Sequence, residues 1–303
     1  DLSYRSQSQH KPDFHNGRRN DRRVDTNCSQ SVRPVKQRPN IEDLALVATD
    51  FDGTLLGRNR EVSKRTQAVL ARLKEFGLDF VVVTGRPPRY CNSIPMQTGI
   101  PTSLICANGA MAYEPLTGTS TQFATLDLSD AQNLLTEIRQ AHPNAGFCVE
   151  MGDDFVAERR WLELASRPLE SDISDVIPLL NESVHKLLVN IPDLSADETL
   201  DVIEPVLNGR ANIMHAGLNF VELMPPGVDK AFGLKKLCDE REIGPEQVMA
   251  FGDMPNDDAM LEAVGWGVAV ANAHPQTLET ADEITASNLD DGVAKVLEQI
   301  LGG

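Results

Sequence analysis

No stretch of this 303-residue chain approaches the roughly 18 consecutive apolar residues that a membrane span requires, and no apolar leader segment follows its first charged residues. Both absences argue for a soluble, cytoplasmic protein with no membrane partner. Paired cysteines are lacking as well. Cys28, Cys91, Cys106, Cys148 and Cys238 are scattered, odd in number and never spaced C-x-x-C, which argues against a disulfide framework or a zinc site. Positive charge is scarce: 28 Lys and Arg stand against 45 Asp and Glu, a formal charge of −17. Such a surface disfavours nucleic acid, and an anionic substrate would have to rely on a local cation. Residues 41–303 hold no internal repeat or low-complexity tract. What remains is an ordinary globular composition, 41% hydrophobic and 24% charged, at a length that suits two domains.

The charge is unevenly spread. Residues 1–40 hold nine Lys and Arg and four Asp and Glu, with almost no aliphatic side chains and no periodicity. Such a segment buries too little surface to offset its ordering entropy, so it is expected to be a disordered basic tail with no specific role. From residue 43, apolar strands alternate with amphipathic helices, the pattern of a parallel sheet covered on both faces. A strand over 44–49 leads to a helix from Ser63 to Phe76, closed by Gly77. A strand over 78–83 follows, Pro87 and Pro88 suit the first turn of another helix, and a third strand spans 103–106. Residues 123–216 change texture: helix 130–140, strands 146–149, 155–158 and 184–191, helix 196–207, and paired strands near 212–214 and 220–223. The doubly wound pattern then resumes with a helix from Asp229 and strands 248–251 and 267–270. The expected architecture is α/β: a doubly wound, Rossmann-like parallel sheet core formed by 41–122 and 217–303, with an inserted α+β cap domain over 123–216.

The most informative stretch is Asp50-Phe51-Asp52-Gly53-Thr54-Leu55-Leu56, which follows the apolar run 44–48. On a strand, side chains two apart point the same way, so Asp50 and Asp52 would aim two carboxylates at one point, which calls for a metal and a proton. Gly53 then lets the chain turn away. Read alone, the segment also fits a polar Asp-Gly turn at a strand end. In a doubly wound sheet, however, ligands bind at the carboxyl ends of strands. Further polar residues collect there: Thr84-Gly85-Arg86, Asn108, and Gly252-Asp253-Met254-Pro255-Asn256-Asp257, with Lys230 near a helix start.

These residues, in this order and spacing, resemble the four motifs of the haloacid dehalogenase superfamily of phosphohydrolases, in its Cof-like subgroup, over residues 44 to about 300. The first motif, D-x-D-G-T, stands at 50–54. The second is Thr84-Gly85-Arg86, the third Lys230, and the fourth, G-D-x-x-N-D, stands at 252–257. The resemblance implies a phosphatase that hydrolyses small phosphate monoesters, sugar phosphates or phosphorylated cofactors, through an aspartyl-phosphate. Asp50 is the implied nucleophile and Asp52 the general acid and base. Mg2+ is implied as cofactor, held by Asp50, the Asp52 carbonyl and Asp253, with Asp257 behind them orienting Lys230 or a water of the metal. Lys230, the Thr84 hydroxyl, Asn256 and the N–H groups of Phe51 and Gly85 are the implied phosphate partners, with Arg86 and Asn108 as substrate contacts. The partner would be a small phosphorylated metabolite; oligomeric state is not legible. Two alternatives stand beside this reading: a phosphosugar mutase, which shares the aspartate pair, and a non-catalytic phosphate-binding regulatory protein. Within the cap, Arg159, Arg160 and Trp161, or His185 and Lys186, are candidates for touching substrate, against the plainer reading of solvated charges beside a strand.

Overall fold

The computed structural model describes residues 36–302 except 152–153, 170 and 182–183. The first half of the core supplies β1 (Leu46–Thr49), α1 (Lys64–Leu73), β2 (Asp79–Val83), α2 (Ile94–Thr98), β3 (Ser103–Cys106), β4 (Met111–Glu114) and β5 (Thr119–Gln122). The inserted part follows as α3 (Leu128–Ala141), β6 (Gly146–Met151), β7 (Asp154–Ala157), α4 (Arg159–Leu164), β8 (Val184–Asn190), α5 (Ala196–Leu207), β9 (Asn212–Met214) and β10 (Val221–Met224). The core closes with α6 (Lys230–Glu240), β11 (Val248–Gly252), α7 (Asp258–Ala263), β12 (Trp266–Val270), α8 (Pro275–Thr280), β13 (Glu283–Thr285) and α9 (Gly292–Ile300).

Eight strands form the core sheet in the order β13-β12-β11-β1-β2-β3-β4-β5, parallel as far as β3 and antiparallel at β4 and β5. Strand alternation sorts its apolar residues into two layers. Val47, Val82, Leu104, Met249 and Phe251 pack with Val69, Leu70 and Leu73 of α1 and Val293, Val296 and Leu297 of α9. Leu46, Ala48, Val81, Val83 and Ala250 face the other way, onto Leu234 and Leu237 of α6 and Met260 and Leu261 of α7. Burial on both faces explains why these strands read as unbroken apolar runs. The cap sheet is antiparallel throughout, ordered β7-β6-β8-β10-β9. One face buries Phe147, Val149, Leu187, Val189, Val221 and Leu223 under Leu134, Leu135 and Ile138 of α3 and Ile203 and Leu207 of α5.

Several boundaries differ from expectation. The cap sheet runs through Met224, so the limit expected at 216 falls too early: β10 pairs with β8 and β9, not with the core. Pro87 and Pro88 open only a single 3-10 turn, Pro88–Tyr90, before the short α2. The hairpin β4–β5 carries no apolar alternation in its exposed second strand, Thr119–Gln122, and escaped sequence reading. Of the basic segment 1–40, residues 1–35 lie outside the described residues. Its end is tied to the core: Lys36 Nζ donates to the Val264 carbonyl at 2.9 Å and to Asp282 at 3.0 Å, and Arg38 Nε lies 3.3 Å from Glu283. No helix among the described residues is long and apolar enough to cross a membrane.

Candidate active site

The site forms where β1, β2, β3 and β11 end together. Asp50 follows β1 directly and Asp253 follows β11, and these two strands are hydrogen-bonded neighbours, so their carboxylates arrive side by side. Close approach is enforced by two glycines. Gly53 has φ of +89°, and a Cβ there would stand 2.3 Å from Asp253 Oδ2. Gly109 has φ of +97°, and a Cβ there would stand 1.9 Å from the Asp229 carbonyl, at the start of α6. Only a residue without Cβ lets the loop after β3 meet the helix that carries Lys230. Asp229 caps that helix, its Oδ1 accepting from Phe232 N at 2.8 Å, and so fixes Lys230 at the first helical position.

Lys230 is the hub. Its Nζ donates to Asp50 Oδ1 at 2.6 Å and to Asp257 Oδ1 at 2.7 Å, with all three side chains buried. Asp257 Oδ2 accepts from the N–H groups of Asp253 and Met254, both at 3.0 Å, and Thr54 Oγ1 donates to Asp253 Oδ1 at 2.8 Å. Ligand oxygens of Asp50, Asp253 and Asp257 all lie within 4.8 Å of one another. Three carboxylates against one ammonium leave excess negative charge out of water, which favours the protonated form of the carboxyls. Burial, reinforced by Asp257 and Asp253 and opposed by Lys230, pushes the Asp50 carboxyl well above the usual range. Burial, with Asp257, pushes Asp253 up to about 7, against the Thr54 hydrogen bond and Lys230. Burial alone would lower Lys230, but Asp257 and Asp50 outweigh it and raise the ammonium.

Asp50 Oδ2 is buried without a hydrogen-bond partner. An orphaned carboxylate oxygen beside two more acidic side chains is a donor set for a hard divalent cation, which takes oxygen ligands and offsets like charge.

Asp52 departs from expectation. β1 ends at Thr49, so the two-residue alternation does not reach Asp52, and residues 51–55 wind into a tight turn. Its carboxylate, 41% exposed, lies in a fork of Arg86: Nε to Oδ2 and Nη2 to Oδ1, each at 2.6 Å, with Arg60 Nη2 on Oδ1 at 2.9 Å. The Arg86 guanidinium also stacks 4.9 Å from the buried Phe51 ring. Thr84 is buried, its Oγ1 accepting from Arg86 N at 3.2 Å. Asn108 and Asn256 meet through a 3.1 Å bond from Asn256 Nδ2 to Asn108 Oδ1, beside Gly85.

Of the cap candidates, Lys186 reaches this loop, donating to the Gly85 carbonyl at 2.8 Å. Arg159 pairs with Glu163 and Asp172, Arg160 bonds the Pro143 carbonyl, and Trp161 packs against Phe220, so these belong to the cap's own structure. The sequence motif includes Thr54 without giving it a role, and sequence reading missed Arg60 and Glu222. For Glu222 a signal existed: a lone carboxylate in the strand Val221–Met224 has to find a buried partner.

The family model for haloacid dehalogenase-like hydrolases matches residues 47–297. The chain belongs to this family. Among its relatives, a 5-amino-6-(5-phospho-D-ribitylamino)uracil phosphatase of Bacillus subtilis is 29% identical over 262 residues, covering 84% of this chain and 96% of that one. A phosphoglycolate phosphatase of Methanothermobacter thermautotrophicus is 25% identical, covering 84% and 98%. A solved haloacid dehalogenase-like hydrolase from B. subtilis matches with a TM-score of 0.72 at 26% identity, over 84% of this hydrolase and 99% of its own chain. Both the mixed α/β core and the separate cap sheet agree with that likeness.

Proposed function

We propose that this hydrolase is a Mg2+-dependent phosphatase of small phosphate monoesters that works through an aspartyl-phosphate on Asp50. The observation that carries the reading is the buried Asp50 carboxylate, with one oxygen held by Lys230 and the other unpartnered. A nucleophilic carboxylate needs one oxygen oriented and one free, and Lys230 supplies the positive charge that lets an anion approach a phosphate.

Asp50 and Asp253, with the Asp52 carbonyl, would hold Mg2+, which when bound would neutralise charge on the phosphoryl oxygens, and Asp257, its oxygens taken by Lys230 and two backbone N–H groups, would stand behind them. Asp50 attacks phosphorus as the bond to the leaving oxygen breaks, and Asp52 gives that oxygen a proton. In the second half Asp52 takes a proton from water as the water oxygen attacks phosphorus, which frees inorganic phosphate and returns Asp50. For that work Asp52 has to leave the Arg86 fork, so substrate anion competing for Arg86 and Arg60 would release it. The Thr84 hydroxyl, the Gly85 and Phe51 N–H groups, and Asn256 would hold the phosphoryl oxygens, with Arg86 and Asn108 beside the substrate. Relatives named for a ribityl phosphate and for phosphoglycolate support a small, polar, phosphorylated metabolite as substrate class.

The test is release of inorganic phosphate from an aryl phosphate, with Mg2+ and with EDTA, by wild type and Asp50→Asn. Turnover that needs Mg2+ and disappears in the variant is the expected result. Turnover that survives the substitution would assign the nucleophile elsewhere, and transfer to a second sugar hydroxyl instead of water would make the enzyme a mutase.

A further inference from the structure

A second group of buried charges lies where the cap sheet meets the core. Lys186 on β8 and Glu222 on β10 form a 2.6 Å ion pair, with side chains 3% and 5% exposed. Strand alternation sends their neighbours Leu187, Val189, Val221 and Leu223 into the cap core, so this pair faces the opposite way, toward the catalytic loops. A buried ion pair offers little stability over an apolar pair of similar volume, so packing of the cap gives no reason for it.

Its outward bonds do. Lys186 Nζ donates to the Gly85 carbonyl at 2.8 Å, and Glu222 Oε2 accepts from Asn108 Nδ2 at 2.7 Å. The N–H of that same Gly85-Arg86 peptide donates to Thr84 Oγ1 at 3.2 Å. Holding the carbonyl therefore fixes the peptide plane, and a Thr84 oxygen that accepts here keeps its own proton for another partner. Asn108 is held in the left-handed region, φ 49°, and its amide is oriented from both sides: Glu222 only accepts, and Asn256 Nδ2 donates to Asn108 Oδ1. One cap pair thus fixes residues after β2, after β3 and after β11.

We propose that Lys186 and Glu222 are positioning residues through which the seated cap sets the phosphate-binding groups of Thr84, Gly85, Asn108 and Asn256. The proposal rests on the phosphate-site reading above. Cap closure and phosphate affinity are then one event: the donors come into register when the pair reaches the loops, and loosen when it leaves.

The test is inorganic phosphate affinity by titration calorimetry in Mg2+, with melting temperature measured alongside, for wild type, Glu222→Gln and Lys186→Met/Glu222→Leu. Glu222→Gln keeps an acceptor for Asn108 but takes from Lys186 the carboxylate it is bonded to, so it should melt lower and bind phosphate within about 5-fold of wild type. The double variant exchanges the pair for apolar side chains, so it should melt near wild type yet bind phosphate about 10- to 100-fold more weakly. Affinity that follows melting temperature across the two variants, or a double variant that binds like wild type, overturns the proposal. A wild type that binds phosphate without turning over aryl phosphate overturns the phosphatase reading alone, and the affinity comparison still decides this one. A wild type that binds no phosphate overturns both.

Discussion

At the scale of single residues, the site is a problem in charge balance. Asp50 and Asp257 share Lys230, with Asp253 beside them, and removal of that ammonium leaves buried carboxylates without compensation. Lys230→Met should therefore cost about 3–5 kcal/mol in urea unfolding, far more than loss of a surface Lys, as well as abolishing turnover. The double change Lys230→Met/Asp257→Leu should recover part of that stability and none of the activity. Why the acidic residues were legible and Glu222 was not follows from the same physics. Asp50 and Asp253 stand at strand ends within a few residues of Gly53 and Gly252, and Asp257 follows in the same short turn, where local sequence marks the site. The partners of Glu222 lie 36 and 114 residues away, and no spacing rule reaches that far.

At the scale of elements, the site depends on how helices begin and strands end. Helix α1 starts as sequence foretells: Ser63 Oγ accepts from Thr66 N at 3.0 Å, and Gly77 takes a left-handed φ of 73° after the closing 3-10 turn. Helix α6 begins with Asp229 as cap and Lys230 at the next position, so helix start and the ammonium that holds Asp50 and Asp257 are mechanically joined. Asp229→Ala should lower stability by about 0.5–2 kcal/mol in thermal or urea unfolding. It should also lower kcat more than a capping change elsewhere, Ser195→Ala on α5 being the control. Short elements were the illegible ones. The six-residue α4 and the polar strand β5 carry too few residues for periodicity to declare itself, and tertiary contacts decide them.

At the scale of the whole molecule, pH acts through the acidic cluster, and the proposed Mg2+ would act through the same groups. Asp253 titrates near 7 when folded against an ordinary 3.8, and Asp50 is shifted in the same direction. A raised carboxyl contributes stability that is fully present below the unfolded pKa and is lost as pH rises through the folded one. Metal-free protein should accordingly melt progressively lower as pH climbs from about 4 through about 7, by an amount on the order of a few kcal/mol. Mg2+ should reverse the loss, raising the melting temperature more at pH 8 than at pH 5.5, with protons released on binding. Scanning calorimetry with EDTA and with Mg2+ at both pH values checks the sign. The alternating core was legible from strand and helix patterns because a doubly wound sheet is built from consecutive units. A bound at 216 cuts between the two strands, 212–214 and 220–223, that the sequence pattern itself pairs, and their antiparallel ladder keeps both in the cap sheet.

The insertion also sets a timetable for the nascent chain. β1 lies between β2 and β11, and Val47 is registered with Met249. While the ribosome makes the cap, the central strand of the core has one bare edge, which cannot be filled until residues 248–252 emerge. The cap's own apolar cluster is complete by Leu223, before that moment. It can condense first, drawing together the two crossing points of the chain and shortening the effective loop that β11 has to close. Folding during synthesis would thus run from the inserted domain outward, with the acidic cluster assembled last, when β11 brings Asp253 alongside Asp50.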